Sequence, residues 1–156
     1  MPFRIGIISD THGLVRPEVA LAFSRVDAIV HAGDVGGEHV LEALRAIAPV
    51  TFVEGNNDEA SGEEIVRANI GGLRILLTHI LPKPAKPAPR VVASLQKTPA
   101  DVVIFGHSHM QFNARVGGVW YFNPASAGPR RFHLPVSVGL LEKRGRAWNA
   151  VHVTLI

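Results

Sequence analysis

Three short, near-continuous runs of Ile, Val and Phe punctuate the beginning of the chain: Phe3 to Ser9, Ala28 to Val30 and Val50 to Val53. A strand in which almost every residue is apolar has to be covered on both faces, the situation of a parallel sheet roofed by helix crossovers. The intervening segments, Pro17 to Phe23 and Glu38 to Ala46, carry a helical pattern. Proline stands where a helix tolerates it, at Pro17 near one start and at Pro49 just past the other end. The first half therefore reads βαβαβ.

The rhythm then changes. Strands are expected at Ile65 to Ile70, Arg74 to Leu77, Val102 to Phe105, Asn113 to Val116, Val119 to Asn123, Val138 to Glu142 and Ala147 to Thr154. Gly71-Gly72 and Gly117-Gly118 are two-residue hairpin turns. A helix from Arg90 to Lys97 covers a further sheet face. The expectation is an α/β sandwich, mixed instead of purely parallel, in one domain over residues 1–156, a length that suits a single domain. The proline-rich run Leu81 to Arg90, with Lys83 and Lys86, reads as an extended surface connection or, since it follows His79 directly, as a substrate-edge loop.

Composition narrows the chemistry. With no cysteine, disulfides, thiolate zinc sites and cysteine nucleophiles are all excluded, and any metal must be held by nitrogen and oxygen. Hydrophobic residues at 47% and charged residues at 19% exclude a disordered tail. The opening MPFRIGIISD turns polar too soon for a signal peptide and no stretch approaches a membrane span, so a cytoplasmic setting is expected. The net charge of +3 comes from scattered basic residues, which suits attraction of anionic substrates better than a nucleic-acid groove.

Five short signals fall at the ends of expected strands: Asp10-Thr11-His12, Gly33-Asp34, Gly55-Asn56-Asn57-Asp58, His79, and Gly106-His107-Ser108-His109. Singly, most of them are ordinary turns and helix caps. Jointly they are not, because the loops beyond the carboxyl ends of strands in an open α/β sheet gather into one crevice. A set of imidazoles, carboxylates and an amide without sulfur suits Mn²⁺, Fe, Ni²⁺, Zn²⁺ or Co²⁺ better than Ca²⁺ or structural zinc.

This ordered set resembles the calcineurin-like metallophosphoesterases, over nearly the whole chain, and in size the small bacterial and archaeal phosphodiesterases that are also similar to the retromer subunit Vps29. The resemblance implies a four-layer αββα sandwich of two mixed sheets flanked by helices. It implies that Asp10, His12 and His109 hold one metal ion, that Asn56, His79 and His107 hold another, and that Asp34 bridges both. Asp34, Asn56 and His107 are then the catalytic residues, in a dinuclear centre, with Mn²⁺ the favoured ion, that activates water for attack on a phosphodiester or monoester.

Phosphatases of the superfamily carry His after the ligand Asn; here Asn57 stands there and cannot donate a titrating proton. Protonation of the leaving group is then left to water, to a neighbour such as Asp58, or to none. Asn57, Asp58, Arg130 and Arg131 are candidate substrate contacts, the arginines because guanidinium matches phosphate geometry or else as a solvated basic turn. His31 reads as a packed strand histidine or as a group orienting Asp34. Asn123-Pro124-Ala125-Ser126 resembles the family's Asn-Pro-Gly-Ser turn, with Ala125 for Gly. His39, His133 and His152 receive no role.

The expected partner is a small phosphate ester, with neither membrane nor nucleic acid, and a homo-oligomer stays open. The rivals are a Vps29-like interaction scaffold without catalysis and a nuclease-type enzyme. The latter would call for a basic groove or stacking aromatics, and aromatics make up only 6% of the chain.

Overall fold

The computed structural model describes residues 2–81, 83 and 88–156. Pro82 and residues 84–87, half of the expected substrate-edge segment, lie outside the described residues.

Ten strands form two five-stranded mixed sheets. The first holds β1 (Arg4–Ile8), β2 (Ala28–His31), β3 (Val50–Phe52), β9 (Ser137–Arg144) and β10 (Ala147–Thr154), in the order β10-β9-β1-β2-β3. The second holds β4 (Ile65–Ile70), β5 (Leu73–Thr78), β6 (Val102–Ile104), β7 (Gln111–Val116) and β8 (Val119–Pro124), in the order β4-β5-β6-β8-β7. The helices are α1 (Pro17–Ala22), α2 (Glu38–Arg45) and α3 (Pro89–Lys97). As expected, β1 to β3 are parallel, with β3 closing one edge of the first sheet; its other edge and both edges of the second sheet are finished by antiparallel hairpins.

Side-chain alternation builds the layers. Ile5 and Ile7 of β1 point with Ile75 and Leu77 of β5 and Phe122 of β8 into the core between the sheets. Ile8 and Ile29 point the other way, onto Val19, Val40, Leu41 and Leu44 of α1 and α2. On the second sheet Leu76, Val103 and Tyr121 face Val91 of α3. Every central strand is thus covered twice, which is why its sequence is apolar throughout. The result is the four-layer αββα sandwich. No helix among the described residues is long and apolar enough to cross a membrane.

This topology aims both sheets' parallel strands the same way. β1, β2, β5 and β6 all end beside one another, and Asp10, Asp34, His79 and His107 follow within a few residues of those ends.

Candidate metal centre

Two clusters of ligand atoms form at that end, Asp10 with His12 and His109, and Asp34 with His79 and His107; within each, all ligand atoms lie within 4.8 Å of one another. The clusters adjoin. Asp34 Oδ2 is 3.2 Å from His79 Nε2 and 3.8 Å from His12 Nε2, so it faces both. Asp10 Oδ1 is 3.3 Å from His109 Nε2 and 3.7 Å from His79 Nε2. Asp10, Asp34, His79 and His109 are buried, and His107 stands exposed at the mouth. Asn56 is exposed on the adjacent turn.

The backbone pays attention to these residues in an unusual way: among the described residues, five of the eight non-glycine positions with positive φ are Asp10, His12, Asp34, His107 and His109, at 46° to 68°. Left-handed backbone costs an L-residue about 1 kcal/mol or more and persists only where its surroundings impose it. Main-chain bonds from Asp10 N to Gly33 O (2.9 Å), His12 N to Asp34 O (3.0 Å) and Gly13 N to Val35 O (2.8 Å) lock the first loop to the second. Glycines admit the carboxylates. A Cβ at Gly55 would run into the Asp34 carboxylate, and one at Gly106 would run into Ser9 Oγ and approach Asp10 Oδ2 to 2.7 Å.

Each ligand is oriented from behind. His79 Nδ1–H donates to Ala32 O at 2.6 Å, which fixes the tautomer and leaves the Nε2 lone pair facing the carboxylates. Asp10 Oδ2 accepts from Ser9 Oγ (2.5 Å) and His107 N (3.0 Å), leaving Oδ1 turned inward. Asp34 accepts from the Asn57 backbone N at 2.8 Å and from its side-chain Nδ2 at 3.2 Å. Burial opposes ionisation of Asp34, but the His79 imidazole beside it, the Asn57 N–H and the His12 imidazole outweigh it and bring its pKa to about 2. Asp10 is likewise opposed by burial and held below its ordinary value by His109, His79 and Ser9. Burial also opposes charge on His79, yet Asp34 and Asp10 raise its pKa.

Several buried polar atoms in this crevice have no hydrogen-bond partner: Asp10 Oδ1, His12 Nε2, His79 Nε2 and His109 Nδ1. Leaving such atoms unpaired costs about 1–3 kcal/mol each, so natural proteins seldom converge several of them without something to bind. Anionic oxygen and neutral imidazole nitrogen, aimed at common points, fit divalent transition-metal ions.

The remaining sequence candidates fall into place around this core. Asp58 lies on the turn beside Asn57, but its two oxygens accept three main-chain N–H groups, from Val35 (2.9 Å), Gly36 (3.1 Å) and Gly55 (3.0 Å). It ties the Asp34 loop to the Asn56 turn. Arg130 and Arg131 are exposed, and Arg130 Nη2 reaches Ile156 O at 3.4 Å. His31 is fully buried beneath the centre, bonded to Thr11 and Gly33. The Asn123 turn is a clamp: Asn123 Nδ2 donates to Gly106 O and Ser108 Oγ, and Ser126 Oγ to Asp10 O. Ala125, where the family pattern has Gly, takes φ 67°.

Sequence reasoning missed the outer braces. Arg90 of α3 donates to Thr78 Oγ1 and Ile80 O, gripping the chain on either side of His79. Arg16 donates to Ala127 O and Gly128 O, and His39 bonds the Gly13 carbonyl. They serve backbone carbonyls distant in sequence, and no spacing signals that.

An αββα sandwich with paired Asp/His clusters beyond its strand ends defines a metal-binding hydrolase of the phosphoester-cleaving class. The chain belongs to the calcineurin-like phosphoesterase superfamily, whose domain model matches residues 3–146. It is 35% identical over 154 residues to a probable metallophosphoesterase of Methanothermobacter thermautotrophicus, covering 94% of this chain and 89% of the relative. Among solved structures, a novel archaeal phosphodiesterase superposes with TM-score 0.74 at 21% identity, covering 97% of this chain and all 100% of that one. A zinc-complexed Vps29 from Entamoeba histolytica superposes with TM-score 0.70 at 24% identity, covering 99% and 100%. These two likenesses speak for the shared fold.

Proposed function

We propose that the chain is a phosphodiesterase, acting also on monoesters, with a dinuclear centre loaded preferentially with Mn²⁺. The observation that carries this reading is the adjacency of the two ligand clusters, with Asp34 facing an imidazole of each. Asp10, His12 and His109 would hold one ion, and Asn56, His79 and His107 the other, with Asp34 shared between them. When bound, such ions supply Lewis-acid activation of water and of the phosphate ester.

The protein's own part is orientation. Asn57 holds both oxygens of Asp34, Ser9 turns Asp10, and Ala32 O fixes the ring of His79, so the ligand atoms are set before any substrate arrives. His107 and Asn56, both exposed at the mouth, face an entering ester first. The segment Asp58 to Ile65 is too short for a capping domain, which leaves the crevice open to extended anionic esters. Asn57, an amide, has no titrating proton to give to a departing alkoxide, and the oxygens of Asp58 are engaged by main-chain N–H groups, which turn them away from that task.

The likeness to Vps29 keeps a scaffold reading in view. Retention of ligands does not separate the two, since a Vps29 has been solved with Zn²⁺. Turnover does. Hydrolysis of bis-nitrophenyl phosphate should vanish on thorough chelation, return with Mn²⁺ and return less with Mg²⁺, because imidazole suits the softer ion. Asp34→Asn should lose metal, measured by elemental analysis, together with activity. Chelator-resistant hydrolysis would refute the metal mechanism, and metal binding without turnover on a panel of diesters and monoesters would favour the scaffold.

A further inference from the structure

We propose that a cavity at the opposite end of the sandwich is a binding site for a nucleotide, a small ligand that carries both an aromatic ring and phosphate. The cavity, of about 620 Å³, is bordered by the hairpin turns β4–β5, β7–β8 and β9–β10, so both sheets contribute to it. Its volume lies within the range of small-ligand pockets. β5 starts at the cavity and ends before His79, so its six residues, at about 3.3 Å each, put roughly 20 Å between the cavity and the metal centre.

The lining is specific in two respects. Arg115, Lys143 and Arg146 converge on it, and none has a carboxylate ion-pair partner among the described residues. The carboxylate on the rim, Asp101, is neutralised by Arg74 at 2.9 Å. Lys143 Nζ is held in place by Gly71 O at 3.2 Å. The cavity therefore carries uncompensated positive charge, and guanidinium groups fit phosphate oxygens in a forked arrangement. The second respect is aromatic: the chain has two tryptophans, and both line this cavity. Arg115 lies 6.0 Å from the Trp120 ring centroid and Lys143 6.0 Å from that of Trp148, so each cation is paired with an indole face. Flat base rings stack on such indole and guanidinium planes. Trp120 is nearly buried, with its Nε1 on Asn113 Oδ1, so the ring open to a stacking base is that of the half-buried Trp148. Charge alone would bind any anion; charge beside an indole selects an anion with a ring.

Because no tryptophan lies elsewhere, intrinsic fluorescence reports on this cavity, excited at the red edge of indole absorption where nucleotides do not absorb. The full-length protein would be titrated with AMP, adenosine, inorganic phosphate and a short single-stranded oligonucleotide. AMP should quench saturably, with adenosine and phosphate each at least about tenfold weaker, a difference of about 1.4 kcal/mol. Arg115→Ala with Arg146→Ala should weaken AMP at least about tenfold and leave diester hydrolysis at the metal centre unchanged. Three results would overturn the proposal: no saturable response to AMP, affinity for phosphate equal to that for AMP, or AMP affinity unaltered in the double variant. An oligonucleotide binding more tightly than AMP would likewise overturn it in favour of a nucleic-acid surface.

Discussion

Removing the His31 ring nitrogens should destabilise the protein at neutral pH and make it less sensitive to acid. His31 has no exposed surface. Its Nε2 meets Thr11 Oγ1 at 2.9 Å, and that hydroxyl spends its proton on Val35 O at 2.8 Å, so the imidazole must be the donor. Its Nδ1 accepts from Gly33 N–H at 3.1 Å. One neutral tautomer satisfies both bonds, and burial lowers the pKa from 6.5 to about 4. Above pH 6.5 both the folded and the unfolded chain hold the ring neutral. As pH falls from 6.5 towards 4 only the unfolded chain takes the proton, so stability is lost across that window, and below it no more is lost through this group. The shift of about 2.5 units corresponds to about 3 kcal/mol.

His31→Phe keeps the ring shape and orphans Gly33 N–H, at a cost of about 1–3 kcal/mol near pH 7. His31→Asn retains an acceptor for Gly33 and should fall between wild type and Phe. Urea unfolding followed by circular dichroism, at steps from pH 7.5 to pH 4 in chelator, gives the difference between wild type and Phe; it should shrink by about 3 kcal/mol and approach zero or reverse at the acid end. A difference constant with pH would refute the neutral buried imidazole. A Phe variant as stable as wild type at pH 7 would refute the value of its two bonds.

Gly106→Ala should cost about 1–3 kcal/mol and much of the metal affinity, measured by unfolding and by metal analysis, since the new methyl meets Ser9 and Asp10 instead of open space. Arg90→Met should leave the fold intact but lower metal occupancy, because Thr78 and Ile80 lose the brace that sets His79 between them. The rate for diesters should depend steeply on leaving-group pKa, as a positioned general acid contributes about 10²–10⁴-fold and neither Asn57 nor Asp58 can act as one; a shallow dependence of kcat/KM would show that another acid is present.

Much of the fold was legible because strand burial in this architecture is extreme. β4 and β10 begin and end where the apolar alternation does, and the other strands differ by only one or two residues at an end. The exceptions follow from pairing: β9 runs on to Arg144 because β10 matches it residue for residue, from Ala147 opposite Arg144 to Thr154 opposite Ser137. No apolar pattern marks that extension, since Lys143 and Arg144 are polar. Helix α3 gained Pro89 at its first position, where a missing N–H costs nothing. The basic residues that looked scattered along the chain lie on two hairpins, Arg115 on β7–β8 and Lys143 and Arg146 on β9–β10, and only the packing of the two sheets brings them to one cavity.

In the site, residue identity was legible and backbone conformation was not. The motif glycines read as turn formers, whereas Gly55 and Gly106 are there because carboxylates of other loops pass against them. Asp58 read as a group facing substrate, whereas three N–H groups make it the pin between two loops. Nothing in a linear pattern discloses that five candidate ligand residues take left-handed backbone, which at about 1 kcal/mol each amounts to roughly 5 kcal/mol of strain. That strain cannot be held by the loops alone. It is offset by the braces beneath them, the buried His31, Asn123 and Ser126 and the half-buried Arg90, and so the polar interior of this protein is as much a part of its candidate metal centre as the side chains that face it.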